Sequence, residues 1–123
     1  MVICDYQVIH LSEASFRNGH IYNATATEED FDEAIDYLSG ISCLGTVDRF
    51  DEVSQRLRTV ALEHGLSIAS TTAVENVTEG RPQALEQRLA LAIAQLGNDL
   101  HRRFSTENAL DYRLYDWACR QRS

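Results

Sequence analysis

The pair Asp48-Arg49, inside the stretch "LGTVDRFDEVSQRL" from Leu44 to Leu57, is where this sequence comes nearest to a binding chemistry. It stands where an apolar run gives way, through Gly45, to an amphipathic pattern. Ligands of α/β proteins sit at such carboxyl ends of parallel strands. An arginine there presents a planar fork of donors to an anionic group, and a neighbouring carboxylate orients it. The same two residues also read as scaffold, with Asp48 capping the next helix and Arg49 tying loops together. The residues alone favour that second reading.

Other chemistries find less support. His10, His20, His64 and His101 are dispersed, and Cys4, Cys43 and Cys119 form no Cys-x-x-Cys, so no metal-ligand spacing is present. There is no Gly-x-Ser-x-Gly, no Gly-x-x-x-x-Gly-Lys and no Gly-x-Gly-x-x-Gly. All 11 basic residues are arginine. That excludes the phosphate-binding lysine of a P-loop, a Schiff-base lysine and a lysine general base. A nucleotide site would have to rest on arginines and helix N-termini. Tyr112, Tyr115 and Trp117 offer an aromatic platform, although a Trp at stripe spacing belongs more often to a core.

Charge narrows the partners. The net charge of −8 is uneven: 6 Arg face 16 acids through Asp99, whereas 5 Arg face 3 acids from Leu100 onward. An acidic surface disfavours nucleic acid. The longest apolar run, Leu89 to Ala94, is far short of the roughly 20 residues that cross a bilayer, so no membrane partner is expected. "MVICDYQVIH" lacks the basic and long apolar regions of a secretory signal, which leads us to expect a cytoplasmic protein with reduced cysteines. A chain of 123 residues fits one domain, here expected over 1–123.

The elements that must position these residues are mainly helical. Thr27 followed by Glu28, Glu29 and Asp30 is a capped helix start, and Phe31, Ala34, Ile35 and Leu38 share a face. The pattern predicts a helix over about 28–39, with Gly40 as a left-handed cap. "ISCLGTV" predicts a short buried strand over about 41–47. Helices follow over about 49–64, 82–104 and 106–121, with Pro82 in the first turn of the third and Ser105 capping the fourth. Residues 66–80 suggest an extended segment. Helix, strand, helix is the unit of a partial α/β fold.

The segments "CDYQVIHLS" (4–12), "FDEAIDYLSGISCLGTVDRFDEVSQRL" (31–57), "ENVT" (75–78) and "ALDYRLYDWA" (109–118) occur in an order that resembles the C-terminal half of the carbohydrate-type sulfotransferase family, which uses 3′-phosphoadenosine 5′-phosphosulfate (PAPS). Asp5 stands where that family has Asn, Ile9 where it has Arg, Asp48 where it has Glu and Val53 where it has Ser. The resemblance implies the C-terminal part of a P-loop sulfotransferase-like fold, with substrate contacts at Tyr6, Gln7, Asp48 and Arg49. It implies sulfuryl transfer to a carbohydrate hydroxyl. In the family, the phosphosulfate-binding loop, a second phosphate-binding segment and the catalytic base lie upstream of the matched region. We therefore expect no cofactor bound by this chain alone, and activity only with a missing N-terminal half. A strand without neighbours would expose its edge, so a homodimer is expected as well. A non-catalytic self-associating helical module and a small-molecule binder are the alternatives.

Overall fold

The computed structural model describes residues 4–17, 24–69, 80, 82 and 84–121. In chain order these form α1 (Tyr6–Leu11), α2 (Ala14–Arg17), α3 (Glu28–Ser39), a 3₁₀ turn (Val47–Arg49), α4 (Phe50–Glu63), α5 (Leu85–Leu96), α6 (Asn98–Glu107) and α7 (Ala109–Arg120). The protein is mainly helical.

The core lies where α1, α3 and α7 meet. Val8, Phe31, Ala34, Leu38, Leu110 and Leu114 are buried together, with Leu11, Ala26, Ile35, Leu44 and Trp117 packed on them. Trp117 is thus core-side, while Tyr112 is exposed. α3 begins as its sequence predicts: the Asp30 amide donates to Thr27 Oγ1 at 3.3 Å, and the Thr27 amide donates to Asp30 Oδ2 at 2.8 Å. This reciprocal pair satisfies two amides that the first helical turn would otherwise leave open. Asp30 is buried and pairs with Arg17, so the cap also ties α2 to α3. Arg113 holds Glu28 through two bonds of 2.6 and 2.8 Å and lies 4.3 Å from the Phe31 ring centroid.

Several expectations need correction. No strand occurs among the described residues, and 41–46 run into the 3₁₀ turn. The reason is sideways packing on α4 in place of strand pairing. The Cys43 thiol donates to the Val53 carbonyl at 3.8 Å, and the backbone at Gly45 lies so close to Val53 that a Cβ there would fall 2.0 Å from Cγ2. With no strand edge, the expected reason for dimerisation is also gone. The helix expected over 82–104 is two helices, because Gly97 takes φ 79° and ψ 158°, which breaks the ladder and starts α6. Pro82 lies before α5 and outside it.

The last correction concerns caps. Ser105 is inside α6, its hydroxyl donating to the His101 carbonyl at 3.0 Å, and α7 starts after Asn108. Gly40 has φ −82° and is not left-handed. The left-handed cap belongs instead to Gly65 after α4, where the amides of Gly65 and Leu66 donate to the Leu62 and Ala61 carbonyls at 3.0 and 2.8 Å. Of the expected extended segment, 66–69 are irregular and exposed, and 70–79 lie outside the described residues together with "ENVT".

Candidate functional site

Asp5 and Asp111 exchange carboxylates between two helix starts. The amides of Leu110 and Asp111, in the first turn of α7, donate to Asp5 Oδ1 at 2.9 and 3.0 Å. The amides of Gln7 and Val8, in the first turn of α1, donate to Asp111 Oδ2 and Oδ1 at 3.1 and 2.9 Å. Each acid therefore sits at the positive end of the other helix. Asn108 completes the joint, its Oδ1 accepting from the Asp5 amide at 3.1 Å and its amide nitrogen donating to the Phe104 carbonyl at 2.8 Å. Asp5 adopts the left-handed conformation, φ 49° and ψ 44°, which Asp tolerates better than most residues.

Burial pushes the Asp5 carboxyl above its ordinary range, the nearby Asp111 charge adds to that, and the accepted amides pull it back. The Cys4 thiol, 3.8 Å from Glu107 Oε2, is also pushed up, first by burial and then by Glu107.

Beside this joint opens a cleft of about 440 Å³. Its apolar wall comes from Val47, Leu85, Leu89 and Phe104, and its other wall from Gln7, Asp111 and the face of α7 that carries Tyr112, Tyr115 and Asp116. Asp48 closes one side, where the Tyr115 hydroxyl donates to Asp48 Oδ1 at 2.9 Å. That bond, followed by burial, pushes the Tyr115 phenol up to about 12. Among the described residues, the lining holds Asp48, Asp111 and Asp116 and no cation. Such a wall disfavours phosphate and sulfate and suits a hydroxyl-bearing ligand stacked on tyrosines.

Arg49 faces elsewhere. It lines a separate cavity of about 210 Å³ with Thr46, Glu52, Val53, Arg56 and Gln121. Its Nε donates to Glu52 Oε1 at 2.7 Å, and its Nη2 also contacts that oxygen. Asp48 thus reaches the cleft and Arg49 the smaller cavity, while both also line a third hollow of about 380 Å³ at the start of α4. The Asp48 carboxylate accepts from Tyr115 on α7, a partner that the scaffold reading did not foresee. Tyr6 is outside both linings and stacks edge-on against His10, with ring centroids 4.1 Å apart.

Of the four residues that the sequence nominates, Gln7 and Asp48 share the cleft with Tyr112 and Tyr115, while Arg49 and Tyr6 lie apart. Sequence reading missed Asp111, Asn108 and Asp116. Asn108-x-x-Asp111 has the spacing of a local capping box, and that signal was there to be seen. Nothing in the spacing shows that Asp111 serves a helix more than 100 residues away. No group of three metal-ligating side chains occurs among the described residues, and no helix among them is long and apolar enough to cross a membrane. Comparison of the chain with protein families, curated proteins and solved structures gives no match.

Proposed function

We propose that this chain is a sulfotransferase-like C-terminal domain that supplies the acceptor side of a site and is not catalytic alone. One observation carries the reading: three segments that resemble the family, 4–12, 31–57 and 109–118, converge on the same cleft. Gln7 joins Asp111 there, with Asp5 at the joint beside it, and Asp48 joins Tyr115. The tyrosines and carboxylates suit a carbohydrate acceptor. Transfer from PAPS needs a cradle for phosphates and a base for the acceptor hydroxyl, and an acid-lined cleft in a lysine-free chain offers no such cradle. The donor would be held by another half or chain. The apolar residues exposed on α5 and α6, among them Leu85, Leu96 and Leu100, are where that half or a second copy would pack. A cytoplasmic location belongs to the same reading, in keeping with three free cysteines.

The three acids in the cleft lining also favour a second reading, a small-molecule-binding protein without sulfate chemistry. Calorimetric titration separates the two readings from an autonomous enzyme. With 3′-phosphoadenosine 5′-phosphate, no heat is expected at millimolar ligand. Micromolar binding, about −8 kcal/mol, would place a nucleotide site in this chain and overturn the acceptor-side reading. With a neutral oligosaccharide, heat is expected and should vanish in Tyr112→Ala. Unchanged binding in that variant would exclude the cleft.

A further inference from the structure

We propose that the cavity between α4 and the C-terminal end of α7 is a site for a tetrahedral oxyanion, either a free sulfate or phosphate or the same group as an ester on a larger ligand. This stands apart from the acceptor-side reading, since it uses a different cavity and none of the cleft residues. Glu52, Val53 and Arg56 lie at intervals of one and three on α4, which puts them on one helix face, and Arg49, the residue before α4, lines the same cavity. Arg49 and Arg56 stand before and after Val53 in the chain, and all three line the cavity. Leu44, Val53 and Ala118 form the apolar floor, and Thr46 and Gln121 add neutral polar groups at the edge.

Gly45 keeps the wall open by offering backbone alone against Val53. Among the described residues Glu52 is the single acid in the lining, and it is engaged by Arg49. A guanidinium has five N–H donors, so this contact fixes the fork of Arg49 and leaves donors over. Arg56 is exposed and takes no part in the ion pairs found among the described residues. Among the described residues the lining therefore carries a net positive charge, on a chain of net charge −8 and next to a cleft whose described lining holds three acids and no base. Charge-assisted bonds from two such forks are the usual way in which proteins hold sulfate and phosphate groups.

The test is a titration of the ¹⁵N-labelled chain with sodium sulfate, against sodium chloride at matched ionic strength. Sulfate should shift the side-chain Nε–H signals of Arg49 and Arg56 and the amide signals of Thr46 and Gln121, and chloride should not. Arg56→Gln is an exposed substitution that leaves the floor intact, and it should weaken sulfate about tenfold with an unchanged melting temperature. Arg49→Gln should weaken it as well. A third titration uses glucose 6-sulfate. Tighter binding than inorganic sulfate identifies the anion as a substituent of a sugar, and equal binding identifies the free ion. Equal shifts with chloride and sulfate, or full sulfate affinity in Arg56→Gln, would overturn the assignment.

Discussion

Asp111→Ala removes the acceptor for two amides at the start of α1 and so tests whether the carboxylate exchange holds the first helix to the last. The two bonds differ in weight. The Gln7 amide is at an exposed position, where water replaces the lost acceptor, at a cost of about 0.5 kcal/mol. Val8 is fully buried, and its amide left without a partner costs about 1–2 kcal/mol. α1 has 6 residues, too few to persist without such anchors. Relief of the repulsion between Asp5 and Asp111 returns a few tenths of a kcal/mol. The expected loss is about 2 kcal/mol, or a fall in melting temperature of roughly 8 °C for a domain of this size.

Urea unfolding followed by circular dichroism measures it, with the exposed Asp116→Ala on the same helix as control. The control should stay within about 0.5 kcal/mol of the parent. Asp5→Ala combined with Asp111→Ala should cost less than the sum of the two, because losing one joint already loosens the other. If Asp111→Ala costs no more than Asp116→Ala, the exchange does not anchor α1.

Two further outcomes follow from the titrating groups. The folded Asp5 carboxyl lies above its ordinary value of 3.8, chiefly through burial. Its contribution to stability is therefore fully present below the unfolded value and is lost as pH rises through the folded one. The stability of the parent relative to Asp5→Asn should decline over that rise, and a difference that is flat or grows with pH contradicts the burial of this acid. Asn keeps an acceptor and suits the left-handed conformation, so Asp5→Asn should also fold normally. Tyr115, pushed up to about 12 by its bond to Asp48, should contribute almost nothing to the ultraviolet ionisation signal about one unit above the ordinary tyrosine range. Asp48→Asn should bring that contribution back, and Tyr115→Phe should leave the parent signal at that pH nearly unchanged. A full Tyr115 contribution in the parent would mean that the bond does not form in solution.

Local chemistry was legible in the sequence. Thr27 and Asp30 are three residues apart, and a capping box needs nothing more than that spacing, so the start of α3 followed directly. The stripe Phe31, Ala34, Leu38 likewise shows which face of α3 is buried, since a helix repeats every 3.6 residues whatever surrounds it. The end of α4 at His64-Gly65 was legible for the same reason, because a left-handed residue after a helix favours glycine.

What depends on distant partners was decided by the tertiary structure. "ISCLGTV" carries strand-forming residues, yet a strand exists only through neighbours, and Val53 on α4 receives the segment instead. Gly97 is tolerable within a helical stripe, yet here it takes φ 79° and ends α5, which composition alone does not decide. Asp48 and Arg49 are adjacent in sequence, yet only Asp48 reaches the cleft and only Arg49 the cavity against α4, although both also line a hollow at the start of α4. Asp5 and Asp111 stand more than 100 residues apart and share one joint. Periodicity and caps are short-range properties of the chain, and a binding wall is a long-range one, so the sequence determined the helices while packing determined which of their polar residues meet.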